Sequence, residues 1–157
     1  MASNLIGEAI LIIASVIVAG SVAGIVMSKV GVFESTVTST SEAQKDKMLT
    51  KIKIIFAGND TRNDANVYVK NVGINPITDL DKVDVYFGPV GNVQKYGYEV
   101  GINDDTWEYE GGLPSLWQKM DTIRINVNET SLAKGNTYEV RISTPNGVSD
   151  DYIFSLS

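Results

Sequence analysis

The sequence, 157 residues long, contains no cysteine and no histidine. Without cysteine there is no disulfide framework and no thiolate chemistry. Without histidine the commonest general base is gone, and with it every Ser-His or Cys-His pair; the two absences together remove the commonest zinc ligands. Any catalysis would have to run on carboxylates, lysines and tyrosines. Positive charge is also scarce: 13 Lys and Arg stand against 19 Asp and Glu, a formal net charge of −6 and a pI near 4.6. No basic stripe exists to displace counterions from phosphates, which excludes nucleic acid as a partner. The length allows one ordinary domain beyond any anchor.

Charge is absent altogether from Ala9 to Ser28, AILIIASVIVAGSVAGIVMS, a run of twenty residues closed by Lys29. As a helix it reaches about 30 Å, the thickness of a bilayer's hydrocarbon core. A buried helix of a soluble protein would show a polar stripe, and a signal peptide would show a basic start, a shorter apolar run and an A-x-A site. Only Glu8 and the α-amino group precede this run. Residues 1–29 therefore read as a retained single-pass transmembrane helix, or as an equivalent helix packed in a filament core. Gly20, Gly24 and Ser28 recur every fourth residue and leave one face almost without bulk, so another helix can approach closely, which favours a homo-oligomer. The bland account of these small residues is that Gly is common in membrane helices anyway. Glu8 belongs at the interface in water, or paired with a neighbour's N-terminal amine in a bundle. Lys29 follows the span and no Lys or Arg precedes it, so the positive-inside tendency taken alone puts the remainder of the chain in the cytoplasm.

Residues 30–50 are rich in Ser and Thr. Val30, Phe33 and Val37 fall three and four apart, which predicts a helical stem that weakens after about Ser41; a plain flexible linker is the alternative. From Lys51 the period changes to two. Ile52, Ile54 and Phe56 alternate with lysines, Val67 and Val69 mark a second strand, and Val83, Val85 and Phe87 a third. Val93–Val100 reads as an edge strand with a bulge at Gly97, and Trp107–Tyr109 as another short strand. LPSLWQKM reads as a loop or one helical turn. Strands at Thr122–Asn128 and Thr137–Ser143 follow, and the turn TPNG feeds a last strand to form a hairpin. Seven or eight short strands over residues 51–157 predict an all-β, immunoglobulin-like antiparallel sandwich, of a size to bury about two thirds of its unfolded surface. Leu132, Gly135 and Tyr138 have the spacing of a tyrosine corner.

Little here carries chemistry. Asp60 with Asp64, Asp79 with Asp81 and Asp84, and Asp104 with Asp105, Glu108 and Glu110 are acidic clusters. Of these, Asp79, Asp81 and Asp84 best suit a hard cation, although none has full calcium-loop spacing, and solvated loop acids are the simpler account. No opposed carboxylate pair of the glycosidase kind is visible. The expectation is a protein that is no enzyme and holds no cofactor. Asn59-Asp-Thr61 and Asn128-Glu-Thr130 are glycosylation sequons. Of the aromatics in the irregular middle, Trp107 and Trp117 are expected in the core, and Tyr96 and Tyr98 on the surface as contacts for a protein partner.

The pattern ASNLIGEAILIIASVIVAGSVAG, the VKNVG segment within VYVKNVGINPITDLDKVDVYFG at 67–88 and the closing hairpin together resemble the archaellum accessory protein G family (FlaG, also called ArlG), over essentially the whole chain. The resemblance implies a stator of the archaeal motility motor: one membrane helix, a β-sandwich between the cytoplasmic membrane and the S-layer, and assembly with itself and with the sister accessory protein F, which contacts the S-layer. It carries no catalytic residues. Two alternatives stand beside it, a filament subunit of archaellin or type IV pilin kind and an exported metal-binding sandwich module. MASNLIG has no basic leader of the sort filament subunits carry, which favours the stator.

Overall fold

The computed structural model describes residues 2–59, 64–101, 105–129 and 132–156, with side chains from Ile6 onward. One helix, α1 (Ala2–Leu49), is followed by eight strands: β1 (Ile52–Asn59), β2 (Ala65–Asn71), β3 (Asp84–Pro89), β4 (Gln94–Tyr98), β5 (Thr106–Tyr109), β6 (Thr122–Asn128), β7 (Thr137–Ser143) and β8 (Ser149–Ser155). The chain divides into two compact units, Met1–Ala43 and Gln44–Ser157.

The first unit is helix alone. Every described side chain from Ile6 to Ala43 is exposed, and the segment is long and apolar enough to cross a membrane. Its hydroxyls are absorbed internally: Ser15 donates to the Ile12 carbonyl and Ser21 to that of Ile17, each at 2.8 Å. That satisfaction lets serine sit in an apolar environment. The same back-bonding continues at Ser35, Thr36 and Ser39. The helix does not weaken after Ser41 as the β-branched run suggested; the good helix formers from Glu42 to Leu49 carry it on, with Lys47 in the last turn where the dipole favours a cation.

The second unit is the sandwich that the period-two pattern predicts. Strand order is β1-β2-β6-β5-β4-β3-β7-β8. The half β1-β2-β6-β5 and the half β4-β3-β7-β8 correspond to the two faces of an immunoglobulin-like fold. All pairings are antiparallel except β4 with β5, a short parallel ladder at Gly97–Thr106 and Tyr98–Trp107 that joins the halves. Strand β4 is thus interior to the order rather than an edge. The irregularity lies elsewhere: the β1–β2 register slips between Ile54 and Phe56, so Ile55 is the additional residue. A bulge of this kind turns every later side chain over, and Phe56, expected inward, is exposed, while Ala57 is buried.

The core alternates as read. Val67, Val69, Val85, Phe87, Ile125, Val127, Val140 and Ile142 are buried, with Trp107 and Trp117 the largest side chains fully enclosed. Phe87 stacks on Tyr138 with ring centroids 5.6 Å apart and meets Tyr96 edge-on at 5.8 Å. Trp107 packs edge-on against Tyr109 at 5.0 Å. The segment around Trp117 is a loop, tied by a bridge to Ile77 and by an indole N–H bond of 2.9 Å to the Asp121 carbonyl. Tyr138 accepts the Ala133 N–H at 2.8 Å, closing the tyrosine corner on the crossover before β7.

Candidate assembly surfaces

The first surface is the small-residue face of α1. A side chain built at Gly20 or Gly24 would meet nothing within 4 Å, and Ser28 is exposed beside them. Large apolar residues such as Leu11, Val18, Ile25 and Phe33, turned away from this face, are likewise uncovered. An uncovered apolar surface of this extent marks an interaction surface.

The acidic cluster at 79–84 does not converge. Asp79, in the left-handed conformation at φ 53°, takes Lys82 at 3.0 Å, and Asp84 takes Lys95 at 2.7 Å. Among the described residues no three carboxylates come together. Lys82 holds the Asp79 carboxyl below its ordinary value, and Asp84 in turn raises the Lys95 ammonium. These are ordinary surface pairs, and they turn Asp79 and Asp84 to different lysines. Asp60 and Asp104 lie outside the described residues.

Tyr96 is not a surface residue. Its inward position on β4 buries it against Phe87, and its hydroxyl donates to the Glu129 carboxylate. Burial first, and that carboxylate second, raise its ionisation above the ordinary tyrosine range. Tyr98 is half-buried, packed 4.9 Å from Trp107 and 5.9 Å from Tyr109. Tyr109, whose hydroxyl donates to the Leu80 carbonyl at 2.8 Å, is likewise pushed up by burial. The second sequon is closed by structure: Asn128 is buried, and its amide donates to the Gly101 carbonyl at 2.8 Å and to the Thr106 hydroxyl at 3.1 Å. Asn59 is exposed at the end of β1, and the threonines of both sequons lie outside the described residues.

Three features were not read from the sequence. On the outer face of β1, β2 and β6, Phe56, Tyr68 and Arg124 stand in register, the Phe56–Tyr68 rings 5.9 Å apart and the guanidinium 5.8 Å from the Tyr68 ring. Arg124 also pairs with Glu110 at 2.8 Å. Alternation gives the outward faces of Tyr68 and Arg124, but only the bulge brings Phe56 among them. The second feature is the contact of Asp150 on β8 with β1. The third is a junction at the end of α1, where Asp46, Thr50, Asn75 and Asn146 interlock beside an open cavity of about 260 Å³.

With these surfaces in view, the chain's relatives can be stated. A model of the archaeal-type flagellin family matches residues 2–154. The chain belongs to the archaeal-type flagellin family. It is similar to the archaellum periplasmic stator protein FlaG from Sulfolobus acidocaldarius, at 33% identity and a TM-score of 0.61, over 68% of this chain and 100% of that one. A chain of the archaellum periplasmic stator protein complex of FlaF and FlaG from the same organism matches at 33% identity and a TM-score of 0.60, over 68% of this chain and 90% of that one. The archaeal flagellum of Methanospirillum hungatei strain JF1 shares the fold at 15% identity and a TM-score of 0.62, over 96% of this chain and 92% of that one. No curated protein matches. An archaeal-type flagellin with these neighbours is an archaellum-related protein, and the proteins it resembles are structural parts of an archaellum rather than enzymes.

Proposed function

We propose that this chain is a stator component of the archaellum motor, held in the cytoplasmic membrane by α1, with the sandwich between membrane and S-layer. The observation that carries the reading is the 33% identity to a stator protein across two thirds of the chain, against 15% to a filament. The physical character of the domain supports it. A static element has to resist torque, and a closed sandwich with two enclosed tryptophans is stiff where a polar tether is not. The role is mechanical and needs no cofactor.

Assembly follows from the same reading. The Gly20, Gly24 and Ser28 face supports self-association in lipid, and the complex of FlaF with FlaG supports a sister F-type protein as partner, with the S-layer reached through it. Purification of the native complex in mild detergent, followed by mass spectrometry, tests this: an F-type accessory protein should accompany the chain in near-equal amount, and its absence overturns the assignment. A filament-subunit role is the second reading, favoured by the match of the flagellin family model over residues 2–154 and by a likeness to the filament that takes in helix and sandwich together.

A further inference from the structure

A helix usually ends on its own cap, often a glycine in the left-handed conformation one residue past the last turn. The final turn of α1 has no such glycine, Thr50 and Lys51 following it directly. Its last carbonyl is capped by the sandwich instead: Leu49 O accepts the N–H groups of Ile74 at 2.8 Å and Asn75 at 3.3 Å, and two residues past the helix Lys51 O accepts those of Val72 at 2.8 Å and Gly73 at 2.9 Å. The approach is too close for a side chain, since a Cβ at Gly73 would lie 2.5 Å from Lys51 N and 2.7 Å from Leu49 O.

Side chains lock the same turn from two further directions. The Asp46 carboxylate accepts the Asn75 amide at 2.9 Å and the Asn146 amide at 3.0 Å. Asn146 also donates to the Thr50 hydroxyl at 2.7 Å, and that buried hydroxyl donates to the Asp46 carbonyl at 2.9 Å. The loop that supplies Asn75 is itself held by Asn71, fully buried, which donates to the carbonyls of Asn75 at 2.9 Å and Trp117 at 3.2 Å and accepts the Gly73 N–H at 3.0 Å. Asn146 is set in its hairpin by the Thr144 hydroxyl at 2.7 Å.

We infer that this turn is a clamp. Residues 44–50 fold as part of the sandwich, gripped by the β2–β3 loop and the β7–β8 turn, so there is no swivel where helix meets sheet. The clamp is independent of whether the chain serves as stator or filament subunit, so its test is separate from that of the proposed function.

Hydrogen exchange on the full chain in detergent micelles reads it directly. In the wild type, amides of residues 46–50 should be protected to the level of β1 and well above those of residues 35–43. Asn75→Ala with Asn146→Ala, and separately Asp46→Ala, should speed exchange in 46–50 by about tenfold or more, because bonds to a charged acceptor are lost, and leave β6 unchanged. Asp46 lies on the helix surface, so its variant keeps the sandwich folded. Exchange in 46–50 as fast as in 35–43 in the wild type, or unaltered in the Asp46 variant, would overturn the clamp.

Discussion

Asp150 on β8 accepts the backbone N–H of Ile54 on β1, Oδ2 to N at 2.8 Å, while its other oxygen takes the Lys53 ammonium at 2.9 Å. β1 and β8 are the two ends of the strand order, so one carboxylate stands in for the missing ladder and turns an open sheet into a nearly closed one. An unpaired edge invites pairing with another chain, and a charge at the seam blocks it.

Asp150→Ala should therefore cost about 1–3 kcal/mol, since it strands a donor and frees a lysine. Urea unfolding monitored by tryptophan fluorescence checks the value. Unchanged stability would show that the seam holds without the carboxylate.

Trp117→Ala should be severe, about 3–5 kcal/mol, because it empties a fully enclosed site and removes the bond to the Asp121 carbonyl. Trp117→Phe should recover most of the packing but not that bond, and thermal unfolding should place it between the two.

Tyr138→Phe isolates the tyrosine corner. The ring stack on Phe87 is kept and the Ala133 N–H loses its acceptor, for a cost of about 0.5–1.5 kcal/mol in denaturant titration. A neutral substitution would mean that the hydroxyl contributes no net stability.

Acid should loosen the end of α1 late. The amides of Asn146 and then Asn75 hold the Asp46 carboxyl below its ordinary 3.8. A depressed folded value means that the contribution is complete above about 3.8 and is lost as pH falls through the folded value, so nothing changes between pH 7 and 5. Exchange in residues 46–50 compared between wild type and Asp46→Asn should differ at pH 5 and converge below the folded value.

Much of this was legible in local pattern. The twenty-residue apolar run and the period-two strands at Val67–Val69, Val83–Phe87 and Ile123–Val127 report how each residue meets solvent, and sequence records that directly. What was not legible depends on partners distant in the chain. The bulge at Ile55 sends Phe56 outward, the pairing of β4 with β3 sets Tyr96 beside buried Val85, and neither is marked by neighbouring residues. Asp150 and Ile54 lie 96 residues apart, so no spacing rule connects them. The acidic cluster misled for the same reason, because Lys95, which engages Asp84, stands on another strand.

In lipid, Gly20→Leu with Gly24→Leu should block close helix approach and reduce crosslinking between anchors in isolated membranes. Crosslinking at the wild-type yield would remove this face from the assembly.

The most direct test of the whole account is where the chain resides in swimming cells. Filaments are sheared off, and the chain is quantified by mass spectrometry in the filament and membrane fractions. A stator stays with the membranes and is absent from the filaments; recovery as a main component of the sheared filament would contradict it and make the chain a filament subunit.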